Sequence, residues 1–169
     1  MKPAKSILSA AVLFVQLTLG AVCVWADDES CKSVSGPFSS VVVAGPECES
    51  PVGICTLGLL EGNFHATYEF TMLTLVPADA NNPVLFTYTG ISVITVRSGE
   101  KLFSVDTGVM NMQDPTAVPF VTTADITGGT GKYQSGQIVA TGILNLLTGE
   151  AVGTHAGEIC KEKKEKSED

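Results

Sequence analysis

The chain has 169 residues, 44% of them hydrophobic, 17% charged and 7% aromatic, and its 10 Lys plus Arg face 18 Asp plus Glu for a formal charge of −8. This composition excludes a disordered chain, a collagen and a polytopic membrane protein. With a single arginine, Arg97, and an excess of acid, no nucleic-acid partner is expected, because that polyanion is held mainly through Lys and Arg.

Lys2 and Lys5 precede an apolar run over 7–24, and Val24-Trp25-Ala26 gives acceptable residues for a cut ahead of Asp27-Asp28-Glu29. This is the pattern of a secretory signal peptide over 1–26, cleaved after Ala26. The run approaches the length of a spanning helix, but Gln16 and Thr18 interrupt it. A lipid-modified Cys23 is disfavoured by the bulky Val22 before it. The expected product is secreted or extracytoplasmic, with no stable membrane insertion after cleavage. It comprises one domain over 27–160 and a charged tail over 161–169, where lysines and acidic residues alternate.

The domain reads as strand almost throughout. The run 38–44 is rich in Val and Ser and ends at Gly45-Pro46; 54–60 leads to a turn at Glu61-Gly62-Asn63. In 64–76 the even positions Phe64, Ala66, Tyr68, Phe70, Met72 and Val76 are apolar, while His65, Thr67, Glu69 and Thr71 alternate with them. Period two means a half-buried strand, not a helix. A loop over 77–83 precedes strands at 84–97, 102–112 and 120–127. A Gly-rich bend over 128–136 then leads to 137–147 and 151–160, joined at Thr148-Gly149. Eight strands with short connections and no amphipathic helix predict an all-β fold. Closing the sheet into an eight-stranded antiparallel barrel removes its edges; a two-sheet sandwich is the alternative. An eight-stranded interior is either filled by side chains or holds one small ligand.

Cys31, Cys48, Cys55 and Cys160 form an even set in an exported domain, which reads as two disulfides. Three pairings are open. The Pro-Gly loop between Cys48 and Cys55 favours a local bridge, with Cys31 to Cys160 tying the ends; a bridge from Cys55 to Cys160 is the competing arrangement. The two close Cys pairs of a structural zinc site are absent, so no metal is expected.

The segment Ile126-Thr127-Gly128-Gly129-Thr130-Gly131-Lys132-Tyr133 fails as a phosphate loop. A Walker loop needs Gly where Ile126 stands and Ser or Thr where Tyr133 stands, and a dinucleotide loop needs Gly where Gln134 stands. No cofactor is expected. With a strand before it and Gly136 after it, the segment resembles the bend shared by allene oxide cyclases and dirigent proteins. That resemblance is strongest over 125–136 and extends weakly over 65–147. It implies a calycin-like barrel with an apolar cavity, a homotrimer, and a part in steering the cyclisation, isomerisation or coupling of a reactive hydrophobic molecule. The acidic and amide residues that cyclases carry on their first strands have no motif-matched counterpart in 35–60.

Of the two histidines, His65 shares a polar strand face and is expected to meet water. His155 shares its face with Ala151, Gly153, Gly157 and Ile159, and small neighbours leave room for a ligand beside an imidazole that can act as acid or base. The bland alternative is a buried histidine spaced by glycines for strand bending. Asp106 and Asp125 lie on neighbouring strands, and paired carboxylates can do acid–base work. Asp106 is in phase with Leu102 and Met110 but opposite Phe103, Val105 and Val109, so its direction is open, while Asp125 alternates towards solvent. His155 and Asp106 are the candidate catalytic residues.

Two functions survive from different classes. One is an exported barrel binding a small hydrophobic molecule, with Phe64, Tyr68, Phe70, Phe86 and Tyr88 as cavity walls; any turnover would be cofactor-independent cyclisation or isomerisation. The other is a disulfide-stapled structural or interaction module in which those aromatics are packed core. Cavity volume separates them, about 300 Å³ or more marking a ligand site.

Overall fold

The computed structural model describes residues 31–43, 45–46 and 48–161, and these form eight strands. They are β1 Cys31–Val43, β2 Cys55–Leu60, β3 Ala66–Asp79, β4 Asn82–Val96, β5 Lys101–Asn111, β6 Val118–Gly129, β7 Tyr133–Asn145 and β8 Glu150–Lys161. Each pairs antiparallel with its sequence neighbour, and β8 returns to pair with β1 from Cys31↔Cys160 to Val41↔Glu150. The sheet is thus a closed barrel, which leaves no edge along its length to recruit another strand. The expected signal peptide, 1–26, and most of the charged tail lie outside the described residues.

Six of the eight strands run longer than the sequence pattern predicts. β1 begins at Cys31, not Phe38, because the residues before Phe38, Gly36 and Pro37 included, pair with β8, these two with His155 and Thr154. A Cβ on Gly36 would lie 2.0 Å from the Glu61 carbonyl oxygen, so only glycine lets β1 pass under the β2–β3 turn. The loop expected over 77–83 is a hairpin: β3 and β4 continue to Asp79↔Asn82, and the Asp79 carboxylate accepts from the Asn81 N–H at 2.8 Å. The bend after β6 is shorter than expected. Gln134 clips it shut, accepting from the Gly129 N–H at 3.0 Å and donating to the carbonyls of Gly129 and Gly131 at 3.1 and 2.6 Å.

One expected inward residue faces out. Between Met72 and Thr74 the β3–β4 register shifts, a bulge that leaves Leu73 without a partner and reverses the alternation beyond it. Val76 is consequently 50% exposed.

The disulfides are Cys31–Cys160 and Cys48–Cys55. The first ties β1 to β8 where the barrel closes. The second fastens the β1–β2 loop to the start of β2.

Two apolar clusters fill the barrel's ends. Val34, Leu60, Phe64, Ala66, Ile94, Leu102, Ile126, Ile138 and Ile159 pack together with Phe38 as a plug at one end. At the other end Met72, Tyr88, Met110 and Val118 are joined by half-buried Ile54, Leu75, Phe86 and Leu144. The hairpin of β3 and β4 overhangs this second end, since β5 pairs with β4 only from Leu85 onward.

Candidate functional site

A partly open cavity of about 120 Å³ lies between the two clusters. It persists because the inward aromatics lie along the wall. Tyr88 on β4, Gly108 on β5 and Thr122 on β6 form one register row. The Tyr88 ring lies across Gly108, where a Cβ would meet it at 2.3 Å, and its hydroxyl hydrogen-bonds the Thr122 hydroxyl. Tyr68, Gly58 and Ser40 form a second such row across β3, β2 and β1. There the Tyr68 ring lies against Gly58, with the Ser40 and Thr56 side chains near its hydroxyl. In a third row Phe38 and Phe120 lean over Gly153 and Gly142 to bring their centroids within 6.0 Å. Glycines on the neighbouring strands give the rings somewhere to lie.

The wall is mainly apolar, with a few convergent polar groups. Asp106 is 1% exposed. Ser92 on β4 and Ser104, two residues before it on β5, each donate a hydroxyl to its carboxylate, Ser104 at 2.7 Å. Burial pushes the Asp106 carboxyl above the usual carboxylate range, opposed by those two hydrogen bonds and aided by the negative charge of Asp125. Burial also raises Tyr68 and pushes Tyr88 up to about 12, against the lowering effect of the Thr122 bond. Both phenols stay protonated across any physiological pH.

His155 lines the cavity from β8 and is 2% exposed. Burial lowers its imidazole pKa, opposed by the Pro37 carbonyl on β1. That carbonyl does not reach hydrogen-bond geometry, and among the described residues neither ring nitrogen has a partner. An imidazole kept neutral offers one N–H donor and one bare nitrogen acceptor.

The structure brings Tyr68, Phe70, Tyr88, Asp106 and His155 to one cavity. Phe64 instead sits in the end plug, because it precedes β3 and belongs to the turn that closes that end. Phe86 packs in the apolar cluster at the other end without lining the cavity, since its pairing with Met110 lies one residue from the end of the β4–β5 ladder. Asp106 and Asp125 do not form a working pair. Asp106 points inward, while Asp125 is exposed and accepts from the Gln137 amide at 2.8 Å. Asp106 and His155 lie on β5 and β8 and are not bonded to each other. His65 is exposed. Sequence reasoning missed Ser92 and Ser104, the donors that hold Asp106, and Thr122, the partner of Tyr88. Their signal was present as inward phase on each strand, but small hydroxyl residues carry little weight in a hydrophobicity pattern.

Chemically, the cavity offers a buried carboxyl whose neutral, proton-donating form is favoured relative to an ordinary aspartate, and an uncommitted neutral imidazole on a separate strand. No family model matches the chain, and no curated protein matches it. Among solved structures, a pterocarpan synthase dirigent protein is similar, with 16% sequence identity over 83% of this chain and 90% of that chain and a TM-score of 0.46.

Proposed function

We propose that the protein is an exported barrel that binds one small, largely apolar molecule in its interior and directs the cyclisation, isomerisation or coupling of that molecule. The observation that carries this reading is the partly open apolar cavity into which Asp106 and His155 are built. Burying a carboxyl group and an unpartnered imidazole costs stability, and a packed structural core gains nothing from either. Both disulfides suit an oxidising compartment. Confinement supplies the directing role, since holding a reactive molecule in one conformation removes much of its entropic barrier. The resemblance of the bend over 125–136 points the same way.

Volume sets the size of the occupant. At about 120 Å³ the cavity falls short of the ~300 Å³ at which drug-sized pockets begin. It is comparable to apolar voids of roughly 150 Å³ that accept benzene, which limits the enclosed part of a ligand to one six-membered ring or a slim chain. That shortfall favours the second reading, a stapled interaction module. The outer face of β4, β5 and β6 supports it as well, because Ile91, Phe103, Val105, Val109 and Val121 are exposed there and Ile91↔Val105 and Val109↔Val121 are register partners. The same face suits association with further copies of the chain, a homotrimer included.

Calorimetric titration with benzene separates the two readings. The ligand-binding reading expects one equivalent to bind the wild type and none to bind Ala140→Leu, whose side chain fills the cavity. A folded wild type that takes up no benzene leaves the interaction module.

A further inference from the structure

Building on the proposed cavity, we infer that His155 is the polar anchor of the ligand and that it selects an uncharged, hydroxyl-bearing molecule. The inference rests on four observations. The imidazole lines the cavity, it is 2% exposed, both of its nitrogens lack a partner among the described residues, and its strand neighbours are small. Gly36 and Ala140 stand opposite it on β1 and β7, and Gly153 and Gly157 flank it on its own face of β8. Among the described residues no protein group holds either ring nitrogen, and the ring lines the cavity.

Two other polar groups of the cavity, Asp106 and Tyr88, are already committed. Asp106 accepts from Ser92 and Ser104, and Tyr88 is bonded to Thr122. Among the described residues His155 holds the buried side-chain polar atoms that lack a partner, so a ligand's polar atom finds unspent hydrogen-bonding capacity there. A neutral imidazole presents a donor on one nitrogen and an acceptor on the other. A hydroxyl can accept from the first or donate to the second, and so bonds whichever nitrogen it reaches in either tautomer. A carboxylate would give up its hydration to enter a low-dielectric, mainly apolar interior. An ammonium would lose its hydration against a mainly apolar wall. The selected class is thus a neutral alcohol whose carbon frame fills about one ring's volume.

The test compares cyclopentanol with cyclopentane, which share a frame small enough for the cavity, on the wild type and on His155→Phe, which keeps a ring and removes both nitrogens. Titration should show the alcohol-to-alkane affinity ratio falling by about three- to tenfold in the variant, the range of one net hydrogen bond, with cyclopentane affinity little changed. A second readout needs no variant. The chain has only two histidines and His65 is exposed, so imidazole nitrogen NMR of the wild type should show one histidine shifting with cyclopentanol and not with cyclopentane. If both probes bind but the ratio is unchanged and neither histidine shifts selectively, His155 is not the anchor, while the binding cavity stands. If neither probe binds the wild type, the cavity reading fails and the anchor with it. If cyclopentanecarboxylate binds as tightly as the alcohol, the assignment to neutral ligands is overturned.

Discussion

Tyr88 on β4 reaches across the whole width of β5 to hydrogen-bond Thr122 on β6, and it can do so only because Gly108 lies between them in the same register row. The ring is laid along the barrel wall and the centre stays open. Gly108→Ala would place a Cβ 2.3 Å from the ring and 2.6 Å from the Val121 carbonyl oxygen. Overpacking of this kind costs about 1 to 3 kcal/mol, more than the ~0.5 to 1 kcal/mol that alanine gains over glycine in a strand. Urea denaturation should show a net loss of stability, and benzene uptake should fall as Tyr88 is pushed inward. A Gly108→Ala variant as stable as the wild type would show that the ring is not confined there.

Asp106→Asn should change how stability depends on pH. The folded-state pKa of Asp106 lies above its ordinary value of 3.8, so the native state favours the protonated form. The stability this contributes is present below that ordinary value and lost as pH rises through the raised folded pKa. Asparagine cannot ionise and keeps an oxygen for one serine hydroxyl. The difference in melting temperature, variant minus wild type, should therefore increase with pH above about 4 and level off once Asp106 is charged. Thermal melts of both proteins from pH 3 to pH 8 check this, and a difference independent of pH contradicts it.

The two disulfides should be unequal. Cys31–Cys160 closes a sequence separation of 129 and Cys48–Cys55 one of 7. Loop-closure entropy makes the first worth about 2 to 3 kcal/mol more than the second. Chemical denaturation of the paired serine variants should rank them in that order. Thiol titration of the unreduced, denatured protein processed after Ala26 should find no free thiol.

The exposed apolar face on β4, β5 and β6 gives a prediction about assembly. If copies associate through it, Val105→Lys with Val121→Lys should convert an oligomer to monomer in light scattering while leaving the circular-dichroism spectrum unchanged. A wild type already monomeric at high concentration rules out that association.

Much of the architecture was legible because it depends on local alternation and on punctuation. Eight period-two runs separated by Gly, Pro and Asn turns, with no helix to cover a sheet, leave closure as the way to bury the edges, and the structure is a closed barrel. The short loop between Cys48 and Cys55 favoured the pairing that is present. The inward face of β8 was readable as well, since Ala151, Gly153, His155, Gly157 and Ile159 alternate with Glu150, Thr154 and Glu158.

The tertiary structure alone decided the direction of Asp106. Both faces of β5 are apolar, and the more hydrophobic set, Phe103, Val105 and Val109, faces outward, so alternation within the strand had no preferred sign. It also decided that Val76 turns outward, because the bulge at Leu73 is a mismatch with β4 and cannot be seen along β3 alone. Phe64 and Phe86 are aromatic and in phase, yet they belong to the apolar clusters at the two ends of the barrel, positions set by how far along the barrel each residue falls. The rows that lay Tyr68 over Gly58 and Tyr88 over Gly108 join residues on three strands, and their register comes from pairing around the closed barrel. The cavity exists only through that register, which is why its volume could be asked of the sequence but not read from it.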